Sequence, residues 1–161
     1  MTIKIGDKVP SATLMEKKKD AGPAPVKTAD LFAGKKVVVF ALPGAFTPTC
    51  SAKHLPGFKQ LASDIKAKGV DVIACLSVND GFVMRAWAED QAVGEDILML
   101  GDGSGDFTRA IGLEMDATGF GMGKRSQRYS MIVDDGVVTE LNVEAPGEFK
   151  VSAADYMLAQ L

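Results

Sequence analysis

The hydrophobic and polar positions of the chain alternate between short apolar runs and stretches with helical spacing. Residues 35–42 form a β-branched apolar run without alternation, which is typical of a central strand covered on both faces. Pro43 and Gly44 follow this run, so the strand is expected to stop there. Residues 70–77 and 96–100 predict two further strands.

Segments with a helical repeat separate these strands. Apolar residues recur at helical intervals across residues 48–68 and predict a long amphipathic helix. A bend is expected at Pro56-Gly57, because proline removes a hydrogen bond inside a helix. Asn79 or Asp80 can cap a second helix. One face of that helix is predicted to carry Phe82, Val83, Ala86 and Trp87.

The C-terminal part of the chain continues the same alternation. A short helix is predicted at residues 106–111, and a hairpin is predicted at residues 129–133 and 137–141, joined by an Asp-Asp-Gly turn. Ser152 is the predicted cap of a closing helix.

This order of elements predicts an α/β chain. A thioredoxin-like fold, with a central mixed sheet flanked by helices, fits this order best. The order is strand, helix, strand, helix, strand, helix, hairpin and helix. The chain shows neither an internal repeat nor a polar linker that would divide it. Residues 1–161 are therefore expected to form a single thioredoxin-like domain.

Composition and charge narrow the classes of function. The net charge is −3, with Lys and Arg interspersed among Asp and Glu, so neither nucleic acid nor an anionic membrane is an expected partner. The basic cluster Lys17-Lys18-Lys19 is expected to be a solvated loop. No apolar run is long enough to span a bilayer, and the N-terminus lacks a signal-peptide core. A cytoplasmic location is expected.

The chain has two cysteines, Cys50 and Cys75, which are too few for a disulfide scaffold. The pattern places Cys50 in the first turn of a helix that follows a buried strand. Unpaired amides and the positive end of the helix macrodipole favour an anion there, and so favour a nucleophilic thiolate. Thr47 is a candidate N-cap whose hydroxyl could bond to the sulfur or to a substrate oxygen. A buried core thiol is the alternative explanation of Cys50.

Other chemistries fit these residues less well. Thr47 stands where a Cys-x-x-Cys motif would need its first thiol, so dithiol exchange at this helix is excluded. His54 follows Cys50 by four residues on the same helical face, which leaves a Cys-His nucleophile pair as a competing design. One Cys and one His are too few ligands for zinc, and neither a metal nor another cofactor is expected.

The spacing of the motif residues resembles a known active-site signature. Pro43-x-x-x-Thr47-x-x-Cys50 resembles that of the peroxiredoxin family, and PGAFTPTCSAKHLPGF is similar to its type II, or peroxiredoxin-five, subgroup. The segments GVDVIACLSVND, LGDGSGDFTRAIG, RYSMIVDDG and LNVEAPGEF extend the resemblance along nearly the whole chain. The resemblance implies a thiol-dependent peroxidase that reduces hydrogen peroxide and small organic hydroperoxides.

The same resemblance implies roles for individual residues. Cys50 would be the peroxidatic cysteine, which becomes a sulfenic acid when it attacks a hydroperoxide. Pro43 would shield the sulfur, Thr47 would hydrogen-bond the peroxide, and Arg128 would lie beside the thiolate and stabilise it. The residue pattern by itself does not single out Arg128 among the arginines of the chain.

The reduction of the sulfenic acid has two candidate routes. Cys75 is the internal candidate, and plant-like members of the subgroup commonly have a resolving cysteine at the matching place. Its strand is predicted to be buried, however, which favours a core thiol. Glutathione with glutaredoxin, or thioredoxin, is the external alternative. The resemblance also implies a homodimer packed near the active sites. The rival functions are a thiol-disulfide exchange enzyme and a non-catalytic thioredoxin-fold module.

Overall fold

The computed structural model describes residues 1–161, with nine strands and five α-helices. The strands are β1 (Thr13–Lys17), β2 (Pro23–Lys27), β3 (Lys36–Leu42), β4 (Val72–Ser77), β5 (Leu98–Gly101), β6 (Glu114–Asp116), β7 (Lys124–Ser126), β8 (Tyr129–Asp134) and β9 (Val137–Val143). The helices are α1 (Thr28–Phe32), α2 (Leu55–Ala67), α3 (Gly81–Asp90), α4 (Asp106–Ala110) and α5 (Ala154–Gln160). A π-helical turn covers Cys50–His54, and a 3-10 turn covers Thr118–Phe120. None of the helices has both the length and the apolar composition needed to cross a bilayer.

Seven of the strands form one mixed sheet in the order β2-β1-β5-β4-β3-β8-β9. The central strands β3, β4 and β5 run parallel, as strands joined by helices do. β8 and β9 add an antiparallel hairpin beside β3, and β1 and β2 add another beside β5. β6 and β7 form a separate two-stranded ribbon. The structure thus has the mixed central sheet of the predicted thioredoxin-like fold.

Helices cover both faces of the sheet, which explains the unbroken apolar run of β3. Val38, Phe40 and Leu42 pack in the cluster formed with α2, α3 and α5. Val37 and Val39 point to the opposite face, where α1 and α4 lie. All five side chains are buried, and full burial of such a side chain contributes roughly 1.5–3 kcal/mol. The loop that leaves the end of β3 therefore starts from a rigid base.

The helix that carries Cys50 is irregular near its start. It begins at Pro48, widens into the π-helical turn Cys50–His54 and continues as α2. Pro56 lies in the first turn of α2, where its ring would crowd the carbonyl four residues earlier in a regular helix. The wider turn before it accommodates the ring. The irregularity expected at Pro56-Gly57 therefore lies one turn earlier.

The face that α3 buries differs from the predicted one. Asp80 caps the helix as predicted, because its carboxylate accepts the N–H of Val83 at 2.8 Å. Met84 and Trp87 are fully buried, whereas Phe82 is 59% exposed. Two faces of α3 carry apolar residues, so the sequence pattern could not show which of the two is buried. The prediction that Phe82 and Trp87 share the buried face was wrong.

The N-terminal hairpin of β1 and β2 is absent from the sequence-based prediction. β2 contains Pro23 and Pro25, which fit there because β2 is an edge strand whose outer N–H groups need no partner. Lys18 and Lys19 lie in the exposed turn of this hairpin, while Lys17 ends β1. The predicted solvated loop is therefore shorter than expected.

Candidate active site

The loop that leaves β3 is held by its own hydrogen bonds. Thr47 donates its hydroxyl to the carbonyl of Gly44 at 2.7 Å, and its own carbonyl accepts the N–H of Ser51 at 2.9 Å. Asn79, just beyond β4, accepts the amide of Ala45 at 3.0 Å. The sequence predicted that Thr47 caps the helix. In the structure its hydroxyl instead bonds back to the loop.

A second contact supports this loop from β7. Arg125 donates to the carbonyl of Pro43 at 3.3 Å and to the carbonyl of Met122 at 3.0 Å. Gly44 faces this arginine, and a β-carbon at residue 44 would lie 2.9 Å from Nη1. A side chain at residue 44 would therefore displace the guanidinium of Arg125 from its present position.

Cys50 and Arg128 meet because of the register between two strands. The side chain of Cys50 is fully buried in the helix that follows the loop. Tyr129, at the start of β8, pairs with Ala41 near the end of β3, and this pairing carries Arg128 to the same end of the sheet. Nη2 of Arg128 donates to Sγ of Cys50 at 3.2 Å. A cation at this distance favours the thiolate form of a cysteine.

The other terminal nitrogen of Arg128 contacts His54. Nη1 donates to Nδ1 of His54 at 2.8 Å, and Nε2 of His54 donates to the carbonyl of Ser152 at 3.0 Å. A guanidinium only donates and a carbonyl only accepts, so the ring is neutral with its proton on Nε2. Burial, and then the charge of Arg128, lowers the pKa of His54 to about 3. Both ring nitrogens are thus engaged away from Cys50, and the Cys-His pair is not formed.

The carboxylate of Glu144 holds Ser152 in place. Its Oε2 accepts the N–H of Lys150 at 2.7 Å, and the N–H and hydroxyl of Ser152 at 2.9 and 2.6 Å. Burial works to raise the pKa of Glu144, but the hydrogen bonds from Ser152 and Lys150 outweigh it and hold that pKa below its usual value. Ser152 therefore braces residues 144–152 and does not cap α5, which begins at Ala154.

Aromatic rings enclose the pair formed by Arg128 and His54. The guanidinium carbon lies 5.8 Å from the ring centroid of Phe149, and this ring also meets His54 edge-on at 5.1 Å. Phe40 and Phe58 pack against the imidazole with centroid distances of 5.1 and 5.7 Å. A cation near an aromatic ring is attracted by it, and apolar surroundings strengthen nearby electrostatic contacts.

A cavity of about 340 Å³ opens beside these groups. Its wall includes Pro43, Thr49, Gln127, Arg128, Glu144 and Glu148. Cys50 is not part of this wall and has no exposed surface. Arg128 touches both the cavity and the sulfur, and so links one to the other.

Comparison with known proteins identifies the family. Residues 4–158 match the family model described as Redoxin. The chain is 54% identical to the chloroplastic Peroxiredoxin-2E-2 of Oryza sativa subsp. japonica, over 99% of this chain and 73% of that protein. It is 46% identical to Peroxiredoxin-2B of Arabidopsis thaliana, over 99% of this chain and 98% of the relative. The chain belongs to the peroxiredoxin family.

The fold of this peroxiredoxin also matches a solved structure. The crystal structure of reduced Prx3 from Vibrio vulnificus in complex with H2O2 aligns with a TM-score of 0.94 and 59% identity, over 99% of both chains. The peroxiredoxin resemblance of type II found in the sequence is thereby confirmed. The protein is a thiol-dependent peroxidase, which sets aside the two rival functions.

The second thiol of this peroxiredoxin lies in the middle of the sheet. Cys75 pairs with Phe40 of β3 and with Met99 of β5, and it is fully buried. Burial, with a smaller contribution from Cys50, raises the pKa of Cys75 well above its ordinary value. Both cysteines are free thiols that belong to one buried cluster.

The structure brings together some of the residues predicted from the sequence. Cys50 and Arg128 are in contact, and Pro43 and Arg128 share the cavity wall. Thr47 stands apart from this wall, with its hydroxyl directed to Gly44. The sequence analysis gave Thr49, Glu144 and Phe149 no role in the site, and it named Ser152 only as a helix cap. Thr49 lies within the motif around Cys50, and the segment LNVEAPGEF, quoted for the resemblance, contains Glu144 and Phe149.

Proposed function

We propose that this peroxiredoxin reduces hydroperoxides at Cys50. The thiolate sulfur attacks the terminal peroxide oxygen, the O–O bond breaks, and the second oxygen leaves and takes up a proton to form water or an alcohol. The sulfur keeps the attacked oxygen as a sulfenic acid, so Cys50 is oxidised as the peroxide is reduced. The single observation that carries this proposal is the 3.2 Å hydrogen bond from Nη2 of Arg128 to Sγ.

The neighbouring side chains have distinct roles in the proposed reaction. Arg128 stabilises the thiolate and then the charge that moves onto the leaving oxygen. The hydroxyl proton of Thr47 is directed to Gly44, so the lone pairs of its Oγ1 can accept the O–H of the peroxide. Pro43 shields the sulfur and shapes the mouth of the cavity, whose wall it shares with Arg128.

Hydrogen peroxide and small organic hydroperoxides are the proposed substrates. The cavity of about 340 Å³ has room for substrates of this size. The similar V. vulnificus structure was determined in complex with H2O2. Cys50 itself has no exposed surface, and Arg128 is the residue that contacts both this cavity and the sulfur.

An external thiol is the proposed reductant of the sulfenic acid. Glutathione with glutaredoxin, or thioredoxin, forms a mixed disulfide with Cys50 and releases water, and a further thiol then restores Cys50. Cys75 is the alternative resolving residue. Its full burial and raised pKa both disfavour the thiolate that resolution needs.

A homodimer packed near the active sites is the proposed assembly. Phe46, Phe82 and Phe120 are 51%, 59% and 86% exposed, and we call them the aromatic patch. The ring centroids of Phe46 and Trp87 lie 6.4 Å apart, and Phe82 is exposed on another face of the same helix, α3. Arg125 links Met122, two residues after Phe120, to Pro43 in the loop after β3. Exposed aromatic side chains are enriched at protein interfaces, and this supports a dimer that covers these three residues.

The two free thiols support the proposal of a cytoplasmic location, because cysteines stay reduced in a reducing compartment. The rice relative is named as chloroplastic, so members of the family also work elsewhere. The proposed partners are the peroxide, the reductant and a second copy of the chain.

The proposed site is tested by following thiol loss after one equivalent of hydrogen peroxide. We expect loss within seconds in the parent and in Cys75→Ala, which serves as the matched control. Cys50→Ser is expected to lose the reaction. Equal peroxide consumption by Cys50→Ser would show that the working sulfur lies elsewhere.

A further inference from the structure

His54 is the single histidine of the chain, and it is fully buried beside the reactive thiol without bonding to it. It accepts a hydrogen bond from Nη1 of Arg128 at 2.8 Å. The same guanidinium donates to Sγ of Cys50 through Nη2 at 3.2 Å. One planar group with a fixed geometry of donors therefore connects the ring to the sulfur.

The surroundings of His54 fix the orientation of the ring. Nε2 donates to the carbonyl of Ser152, and Glu144 holds Ser152 through its N–H and hydroxyl. A flipped ring would turn a C–H toward Arg128 and leave the buried carbonyl without its donor. Phe40 and Phe149 also pack against the imidazole at 5.1 Å each. The unprotonated Nδ1 is thus presented to the guanidinium in one direction.

A neutral acceptor has a specific electrostatic consequence for Arg128. This arginine takes part in none of the ion pairs of the structure. A carboxylate in place of His54 would bind the guanidinium more tightly and would compete with the thiolate for its charge. The neutral imidazole orients the guanidinium without neutralising its positive charge, which remains available to Cys50.

We propose that His54 is a positioning residue for peroxide reduction, which aims the Arg128 guanidinium at Cys50 through its unprotonated Nδ1. The inference rests on the proposed roles of Cys50 and Arg128 and adds a residue to that site. Without the acceptor, the guanidinium is free to turn toward the cavity, whose wall also carries the carboxylates of Glu114 and Glu148.

Substitutions at residue 54 can separate the two ring nitrogens. In His54→Asn, the amide oxygen lies at about the place of Nδ1 and can still accept from Arg128. In His54→Gln, the amide nitrogen reaches about the place of Nε2 and can still donate to Ser152, but Arg128 loses its acceptor. His54→Leu removes both contacts. Near-ultraviolet circular dichroism checks that each variant is folded.

The readouts are the thiolate fraction of Cys50 at neutral pH, from ultraviolet absorbance, and the rate constant for attack on hydrogen peroxide. We expect His54→Asn to stay within about threefold of the parent rate. His54→Gln and His54→Leu are expected to be about 10- to 100-fold slower, with a smaller thiolate fraction, because the arginine is misplaced. A Gln variant as fast as the Asn variant, or faster, overturns the proposal. Full activity of Cys50→Ser would instead overturn the proposed function.

A measurement on the unaltered protein tests the same proposal if the variants do not fold. Because the chain has a single histidine, the ring nitrogen resonances in NMR spectra belong to His54 without ambiguity. We expect a protonated Nε2 and an unprotonated Nδ1 throughout about pH 5 to 8. The Nδ1 resonance is expected to shift in folded Arg128→Ala. A protonated Nδ1, or a resonance unaffected by Arg128→Ala, contradicts the proposal.

Discussion

Cys50 and Cys75 lie in the same buried cluster, yet one belongs to a helical turn and the other to a central strand. Bridged cysteines need Cα atoms closer than about 7 Å. The backbone of Cys75 is tied in register to both neighbouring strands, so any approach of the two sulfurs depends on movement of the turn that carries Cys50. Trp87 restrains that turn through the hydroxyl of Ser51 at 3.1 Å.

We expect stoichiometric hydrogen peroxide to leave a sulfenic acid at Cys50 and no internal disulfide. The physical reason is that burial raises the pKa of Cys75, while the thiolate is the form that resolves a sulfenic acid. Intact mass measured soon after oxidation should show the gain of one oxygen. Loss of two hydrogens would mean a disulfide with Cys75. Cys75→Ala should keep turnover with glutathione and glutaredoxin within about twofold of the parent.

Arg128→Ala should slow peroxide attack by about 10- to 100-fold. A hydrogen bond to a charged group is worth about 1.5–3 kcal/mol, and the substitution removes the donor at 3.2 Å from Sγ of Cys50. Arg128→Lys keeps the charge but not the planar fork, so it should be intermediate. Arg85→Ala is the control, because Arg85 pairs with Glu89 on α3. An unchanged rate in Arg128→Ala would remove Arg128 from the site.

The sequence predicted the parts of the fold that depend on neighbouring residues. The apolar run of residues 35–42 became β3, and the helical repeat of residues 48–68 became the helix that contains α2. The hairpin turn lies where it was predicted, because Asp135 and Gly136 adopt the positive φ angles, 47° and 82°, that a two-residue turn needs.

Contacts between distant residues could not be predicted in the same way. Arg128 reaches Cys50 through the register of β8 against β3, and no local pattern of residues encodes a register. Only the family resemblance selected this arginine. His54 and Ser152 are 98 positions apart, so their hydrogen bond left no trace in the spacing of the motif. The proposed active site is therefore a product of topology as much as of the motif around Cys50.

Ser51→Ala should lower the free energy of unfolding by about 1–3 kcal/mol. The hydroxyl of Ser51 accepts the indole N–H of the fully buried Trp87, and alanine would leave this donor without a partner. Ser63→Ala is the control, because Ser63 is exposed on α2 and its loss should change the stability by less than about 0.5 kcal/mol. Urea unfolding measures both values. Equal stabilities would show that the contact between Ser51 and Trp87 contributes nothing.

Phe120→Glu should weaken the proposed homodimer. Phe120 is 86% exposed in the aromatic patch, and a charge placed in an apolar interface has to be desolvated without a partner. Sedimentation analysis should show a larger monomer fraction at the same protein concentration. Tyr156→Glu is the control, since this aromatic residue is 44% exposed on α5, outside the patch. If both variants match the parent dimer, the interface lies on another surface.

His54 should make folding stability depend on pH below neutrality. The pKa of His54 is about 3 in the folded protein, while that of an unfolded histidine is about 6.5. Between these values the unfolded chain binds more protons, so the free energy of unfolding decreases as the pH falls. The expected decrease between about pH 7 and pH 5 is about 2 kcal/mol. The pKa of Glu144 is also lowered in the folded protein, so protonation of Glu144 reduces the free energy of unfolding further, but only at more acidic pH.

Urea unfolding of the parent and of His54→Asn at both pH values checks this dependence. Asparagine does not titrate, so the difference between the two proteins isolates the histidine from the carboxyl groups. One of these carboxyl groups, Asp102, makes the folded protein more stable on acidification, because burial raises its pKa in the folded state. We expect the parent to lose more stability than His54→Asn on acidification. Equal losses would mean that His54 takes up its proton in the folded state, in which case Nδ1 would no longer accept from Arg128.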